Sequence, residues 1–200
     1  MRDLLFEAYR QAAKGLARFG LGRLGAARRV HGWVTASLAQ GRVLAGGHVI
    51  FLDKYDSLHL AIYGIHEPFQ TEFVSSVVKE GDVVVDAGAH IGYYTLIFAK
   101  LVGPEGRVFA FEPDPGNFSL LKKNVEANGY QNVVVENRAL GDETGKIRLY
   151  LSSVHAGDHR TYDVGESRPW VVVDCVRLED YMRDRDCEVD LVKMDIQGAE

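Results

Sequence analysis

The sequence predicts an α/β domain built on a parallel sheet with helices on both faces, and three observations carry that expectation. Short apolar runs at Val83 to Val85, Arg107 to Phe111 and Val189 to Met194 read as buried strands. The first two are each followed by a helical period with its own start and stop signals. Each of the three runs gives way to an acid, respectively Asp86, Glu112 and Asp195, at the end where parallel sheets bind ligands.

Taken in order, residues 1–45 read as a basic amphipathic helical extension carrying Leu4, Leu5, Tyr9, Leu16, Phe19 and Leu24, weakened by several glycines. Residues 46–200 form the second domain. Gly46 and Gly47 mark a turn into a short strand at Val49 to Leu52. A helix then starts near Glu67 with Pro68 in its first turn, and its spacing puts Phe69, Phe73, Val74 and Val77 on one inward face. Gly81 ends it. After the strand at Val83, a helix over Gly92 to Leu101 presents Tyr94, Ile97, Phe98 and Leu101, and Gly103 and Pro104 close it. The strand at Arg107 leads to a helix capped by Asp114, with Pro115 at its first position and Phe118, Leu121 and Val125 inward, ending at Gly129. Val133 to Val135 begin a third strand. Lys146 to Leu151 and Val171 to Val176 then predict an antiparallel excursion, joined by a polar loop over Ser152 to Pro169. A short helix at Leu178 to Met182 precedes the fourth parallel strand, Val189 to Met194.

Composition narrows the function classes. The chain has 200 residues, 46% of them hydrophobic, and a formal net charge of -5, enough apolar material for one sizeable core. The first 50 residues hold eight Arg or Lys against Asp3 and Glu7 alone. The remainder is therefore strongly acidic, which argues against a nucleic-acid partner. No apolar run reaches the ~18 residues that would span a membrane, and a cytoplasmic location is expected. The basic N-terminus reads first as an appended helix that packs on the domain or on a second copy of the chain, and peripheral contact with an anionic membrane surface is the alternative. Cys175 and Cys187 lack the spacing of a disulfide framework or a zinc site.

The strand-end residues point to a ligand. Asp86 opens the turn Asp86-Ala-Gly88-Ala-His90-Ile-Gly92, whose glycines allow close approach to the backbone. Glu112 follows about 20 residues after that turn, the spacing at which an acid takes a ribose diol. The pair predicts an adenosine-type ligand. A pyrophosphate on the turn would be repelled by Asp86, and the third glycine of GxGxxG is missing, so a dinucleotide is disfavoured. S-adenosyl-L-methionine brings an ammonium and a sulfonium instead, which a carboxylate attracts.

These runs, together with Phe111-Glu112-Pro113, Asn137-Arg-Ala139-Leu and Lys193-Met-Asp195-Ile-Gln-Gly198-Ala-Glu200, resemble the FkbM-type methyltransferases. Glu67-Pro68-Phe69 and Gly157-Asp158-His159-Arg160 are similar to segments of that group as well. The resemblance implies the Rossmann-like class I methyltransferase sheet, here stopping after its fourth parallel strand. It also implies S-adenosyl-L-methionine as cofactor and a small-molecule or glycan hydroxyl as acceptor. By it, Asp86, Gly88 and Gly92 line the methionine part, Glu112 the ribose, and Pro113, Asn137 and Ala139 lie near the adenine, with Asp195 facing the transfer site and His90 and Asp195 counted with the cofactor-binding residues. His90 stands where the family more often has Asn.

Transfer to an alcohol needs a proton acceptor. Asp195 and His159 are the catalytic candidates, with Asp158, His159 and Glu200 toward the substrate. His155, Asp158 and His159 do not add up to a metal site, because Gly157 opposes the helix that would align them. Two other readings stand beside the methyltransferase: an NAD-binding oxidoreductase domain, and a non-catalytic interaction module with the same fold.

Overall fold

In the computed structural model, the described residues are 2–17, 30, 33–34, 41–54, 56–152, 159–161 and 168–196. They divide into two units, Met1–Pro68 and Phe69–Glu200.

The first unit contains α1 (Arg2–Ala17), the strands β1 (Arg42–Ala45) and β2 (His48–Phe51), and a one-turn helix α2 (Leu60–Tyr63). β1 and β2 pair antiparallel across Gly46 and Gly47, both at positive φ, which is the tight two-residue turn that glycine pairs favour. β1 is a correction: residues 42–45 lie in the stretch expected to be helical. Its pairing with β2 supplies backbone partners that four residues could not signal alone. The Asp56 carboxylate accepts from the N–H groups of Leu60 and Ala61 and so caps α2. Among the described residues, no helix is long and apolar enough to cross a membrane.

The second unit runs α3 (Pro68–Val77), β3 (Val83–Ala87), α4 (Tyr93–Val102), β4 (Arg107–Phe111), α5 (Pro115–Ala127), β5 (Val133–Glu136), β6 (Ala139–Leu140), β7 (Gly145–Tyr150), β8 (Trp170–Val176), α6 (Leu178–Met182) and β9 (Leu191–Met194). β5, β4, β3 and β9 form a four-stranded sheet in that order, every pair parallel. β6, β8 and β7 form a second sheet in which β7 and β8 are antiparallel, the excursion the sequence predicts. β6 is new; a two-residue strand is too short to show a period.

The core follows from the pattern. Val84, Val85, Val108, Ala110 and Phe111 are fully shielded in β3 and β4, and α4 is buried at every position from Tyr93 to Ala99. Asp114 caps α5 by accepting from the Asn117 N–H, and Leu121 is completely buried on that helix. α3 departs from expectation. Val74 points inward, but Phe69 and Phe73 are 82% and 57% exposed. The helical spacing places them on a common stripe, yet the protected stripe is that of Val74 and Val78.

Candidate functional site

Because β4, β3 and β9 are adjacent and parallel, their carboxyl ends share one edge of the sheet, and Asp86, Glu112 and Asp195 gather there. Asp86 lies within β3, directly across from Lys193 in β9. Its side chain is fully buried. One carboxylate oxygen accepts from the Thr95 hydroxyl at 2.6 Å, and the other lies 3.5 Å from the Lys193 ammonium. A buried carboxylate needs such compensation. Asp86 therefore does not meet a cationic ligand directly, although its place in the sequence predicts that it would: its charge is turned inward and met by a lysine 107 residues later in the chain.

The turn after β3 is held by the protein itself. Gly88 and Ala89 both donate their N–H to the Phe111 carbonyl, His90 donates to the Glu112 carboxylate at 2.8 Å, and Gly92 donates to the Ala89 carbonyl. These donors would have to be available for the turn to cradle a pyrophosphate. Gly88 has φ of +77°, and a Cβ there would stand 2.1 Å from the Asp195 carbonyl oxygen. This glycine is needed for the crossing of two backbones. His90 also adopts a left-handed conformation, φ +53°, which Asn and His tolerate better than most side chains. That shared tolerance gives a backbone reason why His can stand at a family Asn position. From below, the Asn124 amide donates to the Ile91 carbonyl at 2.7 Å and ties α5 to the turn.

Glu112 follows β4 and is 5% exposed. Its oxygens accept from the backbone N–H groups of His90 and Asp114, at 2.8 and 2.9 Å. The carboxylate thus bridges the turns after β3 and β4 and takes a further hydrogen bond from the Asn117 side chain, which still leaves acceptor capacity for a ligand donor. Burial pushes its pKa up to about 7, against the opposing pull of those two N–H groups. The Asn137 amide donates to the carbonyls of Glu112 and Pro113, at 2.8 and 3.1 Å, and so fixes the backbone carrying the acid. Ala139 is buried in β6 at 4% exposure and pairs with Cys175.

Asp195 follows β9, and its N–H donates to the Ala87 carbonyl at 3.0 Å. Its side chain is 48% exposed and lies 3.8 Å from Lys193. His159 lies elsewhere, with Nδ1 accepting from the Ser152 N–H at 3.0 Å and Nε2 3.9 Å from the Asp114 carboxylate. It stands beside the β4 end, on the other flank of β3 from Asp195. Asp158, His155, Gly157 and Glu200 lie outside the described residues. The residue whose role sequence reasoning missed is Lys193. Its position in β9 two residues before Asp195, an interval that puts two side chains on one side of extended chain, was the available signal.

A family model described as the methyltransferase FkbM domain matches residues 86–200. "Methyltransferase 1" of Beauveria bassiana is 31% identical, with 58% of this chain and 55% of that protein covered. "31-O-demethyl-FK506 methyltransferase FkbM" of Streptomyces tacrolimicus is 39% identical over 36% of this chain and 27% of its own length. The chain spans about half or less of these curated relatives. Among solved structures, M. jannaschii TYW2 in complex with AdoMet has a TM-score of 0.38 at 23% identity, covering 52% of this chain and 51% of that one.

Proposed function

The chain belongs to the FkbM methyltransferase family, and from that premise we propose that it is an S-adenosyl-L-methionine-dependent methyltransferase that methylates a hydroxyl group of a sugar, glycan or other small molecule. The observation that carries the reading is the placing of Glu112, Asp86 with Lys193, and Asp195 at the ends of three neighbouring parallel strands. The used N–H groups of Gly88, Ala89, His90 and Gly92 fit a donor without a pyrophosphate.

On this reading Glu112 accepts from the ribose diol, the turn from Gly88 to Gly92 backs the methionine part, and Pro113 and Asn137 border the adenine. The bound donor supplies a methyl carbon already activated by its sulfonium. The protein's task is then largely alignment. Asp195, exposed at the mouth, receives the proton of the acceptor hydroxyl, a contribution of roughly 10²–10⁴-fold. His159 takes a loop-holding role instead, since the ring nitrogen that would accept a proton already accepts from Ser152. The acidic balance of residues 51–200 supports an acceptor other than nucleic acid.

Radiolabelled methyl transfer from S-adenosylmethionine into a cell extract, with mass analysis of the product, tests the function. Label in an alkali-stable ether of a small molecule or glycan is expected. Saturable NADH binding would favour an oxidoreductase, and tight cofactor binding with no transfer to any acceptor would favour an interaction module.

The raised pKa of Glu112 adds a titration. Its folded value of about 7 lies above the ordinary 4.5, so the stability it contributes is fully present below pH 4.5 and is lost as pH rises through 7. A diol donates hydrogen bonds to the ionised form and lowers the folded value. Binding of S-adenosylhomocysteine should therefore release most of a proton at pH 6 and little above pH 8. Calorimetry in buffers of different ionisation enthalpy reads this directly, and proton uptake at pH 6 would contradict it.

A further inference from the structure

Lys193 is held in an unusual setting at the centre of the site. Its ammonium lies 3.5 Å from the Asp86 carboxylate, 3.5 Å from the Gly88 carbonyl and 3.8 Å from the Asp195 carboxylate, with the Tyr94 ring centroid 5.1 Å away. Charge-assisted N–H···O contacts prefer about 2.7–2.9 Å, and all three oxygens are farther than that. The ammonium is centred among its neighbours, so it has donor capacity left. Its side chain is 15% exposed, and one side opens to solvent.

The charges alternate outward from the sheet: Asp86 negative and buried, Lys193 positive, Asp195 negative and exposed. A ligand that brought only a cation would meet the lysine at close range. An α-amino acid group, with carboxylate and ammonium on one carbon, presents the matching alternation. Resting on the methyltransferase reading above, we propose that Lys193 is a specificity-determining residue that binds the carboxylate of the cofactor's aminoacyl group, leaving the ammonium to the Gly88 carbonyl and one oxygen of the Asp195 carboxylate, whose other oxygen stays toward the acceptor. The site then selects a zwitterionic aminoacyl tail. Asp86 acts through the lysine, as the buried anion that fixes it.

Three ligands separate the terms by calorimetry on the full chain: S-adenosylhomocysteine, its decarboxylated analogue S-adenosyl-3-thiopropylamine, and 5′-methylthioadenosine, which lacks the tail. The unaltered protein should prefer S-adenosylhomocysteine to the decarboxylated analogue by about tenfold or more. Lys193→Met should erase that preference while 5′-methylthioadenosine binds as before, and Lys193→Arg should keep it. If Lys193→Met does not fold, with Asp86 left uncompensated, the Asp86→Asn/Lys193→Met pair removes both buried charges and carries the same comparison. Equal loss of all three ligands in the folded variant, no preference in the unaltered protein, or tighter S-adenosylhomocysteine binding without the lysine would each overturn the assignment. Failure of the unaltered protein to bind any of the three would instead overturn the methyltransferase reading and this assignment with it.

Discussion

Gly88→Ala is expected to destabilise the protein by about 3 kcal/mol or more and to abolish measurable cofactor binding. The added methyl would stand 2.1 Å from the Asp195 carbonyl oxygen and 3.0 Å from its carbon, both backbone atoms, at φ of +77°. A side chain could rotate away, but a strand cannot. Relief requires β9 to shift against β3, which breaks the bond from the Asp195 N–H to the Ala87 carbonyl and carries Lys193 and Asp195 out of place. Gly92→Ala is the control. It has the same kind of backbone penalty, φ +92°, but its Cβ would meet the Leu121 Cδ1 at 2.7 Å, the movable end of a side chain. The difference between the two variants in urea midpoint isolates the backbone collision. If Gly88→Ala costs no more than Gly92→Ala, the crossing of these backbones is not what requires the glycine.

That glycine shows where sequence reasoning reached its limit. Read locally, Gly88 looks like a residue kept small for a ligand; in the fold, its hydrogen atom faces Asp195, 107 positions away. The same separation hid the partner of Asp86. Local signals fared much better. The strand Arg107–Phe111, the helix Leu178–Met182 and the cap of α5 by Asp114 with Pro115 behind it all follow from neighbouring residues, and the structure reproduces them. Glu112 was legible as an acid at a strand end, because chain order and parallel pairing place it there whatever the details. Its clamp between His90 and Asp114 was not, since both donors are backbone groups that leave no trace in residue type. Phe69 and Phe73 mark the opposite error, since helical spacing reports a stripe but not which stripe is covered.

Glu112→Ala should weaken S-adenosylhomocysteine binding by about 100-fold or more. Two hydrogen bonds from a diol to a charged acceptor are worth roughly 1.5–3 kcal/mol each, and about 1.4 kcal/mol is a factor of ten. The substitution has a second cost, because it removes the acceptor of the His90 and Asp114 N–H groups. Lost stability and lost binding must therefore be separated. Above pH 7 the stability loss is partly offset, because the mutation also removes a buried carboxyl that is then ionised. Measurement at pH 8 and low temperature thus keeps the variant folded while the ligand term is read. Glu112→Asp refines the test: it keeps the charge but draws the carboxylate back by one methylene. An acid acting only as a general negative charge would be rescued by aspartate. An acid that must reach both turns and the diol at hydrogen-bond distance would not, and the expected result for Glu112→Asp is a loss of at least tenfold. Unchanged affinity in Glu112→Ala would remove the ribose assignment and with it the main support for an adenosine-bearing cofactor at this sheet edge.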